Sequence, residues 1–175
     1  PAMDAFGEML TPLFGDTKSG ITEENVQARS RGLTLMALSN KNGAMVLTTG
    51  NKSEMSVGYA TLYGDMCGGY SVLKDIYKMD VFALCQLRNE GKPPGLNLLG
   101  PDGAVMPDRI ITKPPSAELR PDQRDDDSLP PYEVLDDILK CLIEGEMGLQ
   151  EIAKRGHNPE TVQRVWRMLD LAEYK

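Results

Sequence analysis

The residues whose types and spacing can do chemistry gather between Met45 and Lys78, MVLTTGNKSEMSVGYATLYGDMCGGYSVLKDIYK. An apolar run, Ala44 to Leu47, ends in Thr48-Thr49-Gly50-Asn51-Lys52-Ser53-Glu54, and the glycine-rich turn Gly64-Asp65-Met66-Cys67-Gly68-Gly69 follows a short amphipathic segment. Glu54 has two readings. As a first-turn acid, with Ser53 as the cap, it complements a helix dipole. As a lone carboxylate beside hydroxyls it can hold a hard cation, since Mg²⁺ takes one or two carboxylates and completes its shell with substrate phosphates. Lys78 opens a helix, where a cation is disfavoured unless an anion binds there too. Its bland reading is a solvated lysine. Gly68-Gly69 permits close approach of the backbone to a ligand, or forms a plain turn. Asp65 can accept hydrogen bonds from a substrate or close an Asx-turn. There is no G-x-S-x-G, and the only histidine, His157, falls in a helix-cap region. Pattern alone therefore stops at magnesium–phosphate chemistry.

The surrounding elements must place these groups. Residues 3 to 13 form a short amphipathic piece. Thr22 is expected to cap a helix with Glu23 and Glu24 in its first turn, running to about Asn40 and closed by Asn42-Gly43. Its later half, with Leu33, Leu35, Met36, Ala37 and Leu38, reads as a helix sandwiched in an α/β fold. Ala44 to Thr49 reads as a parallel strand buried on both faces. A strand of such a sheet delivers its carboxyl end to a ligand, which puts Thr48, Thr49 and Glu54 at a site. A helix is expected over Lys78–Asn89 and a loop over Gly91–Gly103. Glu118–Ser128, with Asp125-Asp126-Asp127, reads as a solvated loop. Pro130-Pro131 starts a helix with Val134, Leu135, Ile138, Leu139 and Leu142 on its apolar face, stopped by Gly145. A short helix over Leu149–Arg155 is closed by Gly156. Asn158-Pro159 caps a last one, with Val162, Val165, Trp166 and Leu169 at helical spacing.

The bulk composition fits one domain. With 175 residues, 41% hydrophobic and 26% charged, the chain is long enough for a real core. No apolar run reaches the roughly 18 residues of a membrane span. The net charge of −7 argues against a general nucleic-acid binder but leaves a local anion site open. Three dispersed cysteines with one histidine argue against a structural zinc site and make a reducing cytoplasm the default. The opening Pro1-Ala2-Met3-Asp4 looks like the middle of something. The front, residues 1–128, reads as α/β and residues 129–175 as helical, with only one strand secure; the chain is expected to be part of a larger fold.

The order of these pieces resembles the synthetase domain of NAD⁺ synthetases, and among them the bacterial glutamine-dependent branch. The likeness is carried by Glu23-Glu24-Asn25-Val26-Gln27-Ala28-Arg29, Thr48-Thr49-Gly50-Asn51-Lys52-Ser53-Glu54 and Val57 to Met66. Leu73 to Lys78, Lys113-Pro114-Pro115-Ser116-Ala117-Glu118-Leu119, Pro130-Pro131-Tyr132 and Glu173-Tyr174-Lys175 extend it over nearly the whole chain. It implies an adenine-nucleotide-hydrolase-like, Rossmann-like α/β fold with a parallel sheet and flanking helices. It also implies ATP-dependent amidation of deamido-NAD⁺ to NAD⁺ through an adenylate, with AMP and pyrophosphate released and ammonia drawn from glutamine. By position, Glu54 would bind Mg²⁺, while Thr49, Lys78 and Ser116 would contact ATP. Arg29, Asp65 and Lys175 would contact deamido-NAD⁺. Family members form homodimers through this domain, so a dimer is expected, with no nucleic-acid or membrane partner.

Some family members carry a lysine where Leu62 stands and a histidine where Tyr174 stands. The family's S-G-G-x-D-S phosphate loop, with a second metal-binding aspartate, is expected upstream of Pro1, so the 175-residue chain alone is expected to be catalytically dead or nearly so. Besides a subunit-contact role for the Glu23–Asn40 helix, two other readings compete. One is a different adenylate-forming amidotransferase, GMP-synthetase-like. The other takes the last two helices for a helix-turn-helix nucleic-acid module, for which the near-balanced charge of Leu149–Lys175 is a poor fit.

Overall fold

The computed structural model describes residues 1–91 and 100–175. Positions 92–99 of the loop expected over Gly91–Gly103 lie outside the described residues. In chain order the elements are α1 (Ala2–Phe14), α2 (Ile21–Asn42), β1 (Leu47–Thr48), α3 (Lys52–Ser56), β2 (Tyr70–Ser71), α4 (Lys78–Glu90) and α5 (Asp108–Thr112). A 3₁₀ turn (Asp125–Asp127), α6 (Tyr132–Ile143), α7 (Leu149–Lys154) and α8 (Pro159–Ala172) complete them.

The core is built by the helices with the cleanest periodicity. Leu135, Ile138 and Leu139 of α6 lie one turn apart and are fully buried against Ile152 of α7 and Val162 and Val165 of α8. Burying each such aliphatic side chain contributes roughly 1.5–3 kcal/mol. Asn158 caps α8 as its sequence predicts, its Oδ1 accepting from the backbone of Glu160 at 2.8 Å and Thr161 at 3.2 Å. Pro159 then occupies the first turn, where no donor is missed. Val57, Tyr77 and Leu129 extend this core toward α3 and α4.

The front of the chain is thinner. β1 and β2 pair in parallel, Leu47 with Tyr70 and Thr48 with Ser71. The parallel direction agrees with the sequence, but the expected burial on both faces does not hold: Thr48 is buried while Leu47 is 55% exposed. Likewise α2 is not sandwiched, with Leu33, Leu35 and Leu38 exposed and only Ala28 and Gly32 buried. Burial on both sides needs a second layer, and the described residues put none over Leu33, Leu35 and Leu38. Its start also differs. The helix begins one residue before Thr22, and Glu23 reaches back to accept from the Gly20 backbone at 2.6 Å. Gly43 ends it in the left-handed conformation, φ 61°, as expected of a C-terminal glycine.

Candidate functional site

The site grows from the turn after β1. Asn51, not Ser53, caps α3: its side chain accepts from the Glu54 backbone at 3.0 Å, and Glu54 Oε2 accepts from the Asn51 backbone at 3.4 Å. This is the cap-plus-three pattern of a capping box, and it fixes the carboxylate over the first turn. The other oxygen, Oε1, accepts from Lys78 Nζ at 2.7 Å. Glu54 therefore serves the dipole and grips a cationic group at once. Lys78 lies over the rings of Tyr132, at 5.2 Å, and Phe82, at 6.0 Å, which adds cation–π attraction to the ion pair.

Ser53 is spent elsewhere. Fully buried, it donates to Asp136 Oδ1 of α6 at 2.5 Å and accepts from the Lys78 backbone at 2.8 Å. Asp136 Oδ2 accepts from the Met79 backbone at 2.8 Å. Burial raises the Asp136 carboxyl above the usual carboxylate range, while the bonds from Ser53 and Met79 pull the other way.

A cavity of about 230 Å³ opens at the carboxyl end of β1. Thr49, Glu54, Asp65, Lys78 and Ser116, five of the seven residues singled out in the sequence, line it together. Thr48, Tyr59 and Asp125 join them. The other two lie apart from this lining. Arg29 Nε donates to the Leu62 carbonyl at 3.1 Å and ties α2 to the turn that carries Asp65. Lys175 Nζ donates to the carbonyls of Gly58 at 2.5 Å and Ala60 at 2.6 Å, and its desolvation there lowers its pKa despite the charge of Asp65 nearby. Asp65 accepts from the Thr61 backbone, four residues earlier, at 2.7 Å, which closes its turn in a different way from the Asx-turn expected, and it still faces the cavity. The close approach allowed by Gly68 is to β1: a Cβ there would sit 2.7 Å from Thr48 Cγ2.

Asp125 is the residue that sequence reasoning missed. Read as part of a solvated acidic run, it is only 3% exposed, and Tyr132 donates to its Oδ2 at 2.8 Å. Its Oδ1 and the hydroxyl of Tyr59 are buried without a hydrogen-bond partner, and burial beside this carboxylate raises the Tyr59 phenol above its ordinary range. The tyrosine two residues after Pro130 was the available signal. No local pattern separates Asp125 from Asp126 and Asp127, which stay exposed.

The class these features define is an α/β domain with a parallel strand pair opening on a polar, charge-paired cavity. The chain belongs to the NAD synthase family, whose model matches residues 1–175. A glutamine-dependent NAD(+) synthetase of Xanthomonas campestris is 53% identical over 177 residues, covering 100% of this chain and 30% of that protein. One from Acinetobacter baylyi is 51% identical over 175 residues, covering 100% of this chain and 31% of that protein. The chain thus spans about 30% of the length of these relatives. Among solved structures, a glutamine-dependent NAD+ synthetase from Acinetobacter baumannii in complex with ADP matches at 45% identity with a TM-score of 0.55, covering 98% of this chain and 28% of that one. An NMN synthetase from Francisella tularensis shares the fold at a TM-score of 0.74 and 23% identity, over 99% of this chain and 60% of that one. Neither the GMP-synthetase-like nor the helix-turn-helix reading is favoured by these relatives. Among the described residues no helix is long and apolar enough to cross a membrane.

Proposed function

We propose that the protein carrying this chain makes NAD⁺ in the last step of its biosynthesis, by ATP-dependent amidation of deamido-NAD⁺ with ammonia from glutamine. A carboxylate oxygen of the nicotinate attacks the α-phosphorus of ATP, the bond to pyrophosphate breaks, and an adenylate forms. Ammonia then attacks the acyl carbon, loses a proton, and AMP departs with the carboxyl oxygen. The first step is needed because a carboxylate is a poor acyl donor until its oxygen becomes a good leaving group.

The observation that carries the reading is the convergence of Thr49, Glu54, Lys78 and Ser116 on one cavity, in a chain about half identical to glutamine-dependent NAD(+) synthetases over its whole length. In this reading Lys78 offsets phosphate charge, the hydroxyls of Thr49 and Ser116 donate to phosphate oxygens, and Asp65 contacts deamido-NAD⁺. Arg29 and Lys175 contact the dinucleotide only by leaving their present carbonyl partners. Lys175 apart, residues 1–128 carry the groups that meet substrate, and residues 129–175 buttress them. The donor set fits Mg²⁺: the Glu54 carboxylate and the hydroxyls of Thr49 and Ser116 line one cavity, hard oxygen donors of the kind that ion takes. Glu54 would supply one oxygen and phosphates and water the rest. The ion would neutralise charge developing on the phosphates.

The test is Glu54→Gln in the full-length protein, with NAD⁺ formation from deamido-NAD⁺, ATP and glutamine as the assay. Turnover should fall by at least about 10- to 100-fold, the loss that follows removal of even a group behind a metal ligand. Undiminished turnover at saturating Mg²⁺ rejects the metal assignment. A wild-type protein that leaves deamido-NAD⁺ untouched rejects the function.

A further inference from the structure

The start of α4 is held by a residue of another helix. Tyr77 precedes the helix and supplies no side-chain cap, so the first backbone donors need other partners. Two of them have one: Lys78 N–H donates to Ser53 Oγ at 2.8 Å, and Met79 N–H to Asp136 Oδ2 at 2.8 Å. Ser53 in turn donates to Asp136 Oδ1 at 2.5 Å. Ser53 is fully buried and Asp136 is 2% exposed, so water competes for none of these bonds. The two oxygens of one carboxylate on α6 thus govern the first turn of α4, one directly and one through α3. Lys78 is anchored at both ends by consecutive residues: Ser53 takes its backbone N–H, and Glu54 takes its Nζ at 2.7 Å.

We propose that Asp136 is the positioning residue for the Lys78–Glu54 pair, and that through it α6 sets the affinity of the site for nucleotide phosphate and its cation. Asp136 does not line the cavity at the end of β1. It acts by fixing where α3 and α4 stand relative to one another, which is the separation that Glu54 Oε1 and Lys78 Nζ must span. Shortening it to alanine leaves two buried backbone or hydroxyl groups without their acceptor, and both belong to the frame of this pair. Asparagine keeps one carbonyl oxygen for the Met79 N–H and lets Ser53 turn its hydroxyl, so it should restore part of the frame. Leu139 lies in the same helix three residues on, is fully buried, and touches this frame by no hydrogen bond, which makes Leu139→Ala the control for plain loss of stability.

The inference rests on the reading of Glu54 and Lys78 given above, so the experiment uses two readouts on the full-length protein. The first is the Kd for ADP with Mg²⁺, by calorimetry. The second is steady-state NAD⁺ formation, giving separate KM values for ATP and deamido-NAD⁺. Asp136→Ala should weaken Mg·ADP binding and raise the KM for ATP by about 10- to 100-fold, as removal of groups behind a ligand-holding residue does. The KM for deamido-NAD⁺ should move by less than about threefold, and Asp136→Asn should recover a good part of the loss. Leu139→Ala should lower the melting temperature and leave both KM values in place. Unchanged Mg·ADP affinity in Asp136→Asn and Asp136→Ala overturns the inference, as does an equal loss in Leu139→Ala. A wild-type protein that binds Mg·ADP but forms no NAD⁺ overturns the function instead, and the affinity comparison still decides the role of Asp136.

Discussion

Gly32→Ala probes the contact that joins α2 to the turn carrying Asp65. In a helix interior this change ordinarily stabilises by about 1 kcal/mol, because alanine loses less backbone entropy. At Gly32 the new Cβ would stand 2.7 Å from the Gly64 carbonyl oxygen and 3.2 Å from Cys67 Sγ. The first contact is with backbone and cannot be relieved by a rotamer change. Gly64 packs on the same helix, where a Cβ on it would stand 2.9 Å from Ala28 Cβ, so the two backbones are already at close approach. The helix must back away, at the roughly 1–3 kcal/mol typical of overpacking. Gly7, inside α1, is the matched control, with nothing within 4 Å of an added Cβ. Gly7→Ala should therefore stabilise by about 1 kcal/mol, Gly32→Ala should lie between neutral and about 2 kcal/mol destabilised, and the two should differ by about 1–3 kcal/mol. Urea unfolding of the chain, followed by far-ultraviolet circular dichroism, measures both. Equal stabilisation by the two substitutions would refute the close approach. Arg29 lies one turn before Gly32 and donates to Leu62, so the same retreat should loosen that bond.

Two further outcomes follow from side chains described above or packed beside them. Glu144 accepts from Lys52 Nζ at 2.7 Å and from the Tyr77 hydroxyl at 2.8 Å. Burial pushes its carboxyl up, but these bonds together hold it below its ordinary 4.5. A depressed carboxylate stabilises above its unfolded value and loses that contribution as pH falls through the folded one. Lys52, raised above 10.5 chiefly by its bond to Glu144, loses its share only as pH rises through its folded value. The melting-temperature gap between wild type and Glu144→Gln should thus be present at neutral pH and close as acid takes the pH below 4.5 and through the lowered folded value, and a gap that persists once the carboxylate is protonated contradicts the assignment. With the Glu144 side chain 47% exposed, solvent screening limits the effect to about 1 kcal/mol or less. Leu139→Ala should destabilise by roughly 2–5 kcal/mol in urea unfolding, and a loss under about 1 kcal/mol would deny that Leu139 sits in the core.

What was legible in the chain follows the range of the forces involved. Periodicity is local, so α6 and α8 could be read from Leu135, Ile138 and Leu139 and from Val162 and Val165, and the Asn158 cap from its own neighbours. β2 could not, because two residues after Gly68-Gly69 are too short to show a period. The burial of Leu47 and of Leu33 was misjudged because apolar type states a preference, while burial needs a facing layer. At the site, residue types picked out Thr49, Glu54, Asp65 and Lys78, and the family resemblance added Ser116; all five meet in one cavity. The sequence did not disclose that Ser53 serves Asp136, 83 positions away, rather than capping its own helix. Nor did it separate Asp125 from the acids beside it, since only the hydroxyl of Tyr132 and the packing around it make that distinction.

The pairing of Lys78 with Glu54 has a consequence for how ligands are admitted. Each side chain is 19% exposed, and each satisfies the other. If Lys78 turns to a phosphate while Glu54 gains nothing, a largely shielded carboxylate keeps only the Asn51 backbone N–H; if Glu54 turns to a cation alone, the ammonium keeps only the faces of Tyr132 and Phe82. Either half-exchange strands a charge in a poorly solvated place. Only a ligand that brings both signs lets the two residues change partners together. On the proposed reading, the pair acts as a coincidence detector, excluding free phosphate and free cation by the same ion pair that accepts them when they arrive joined.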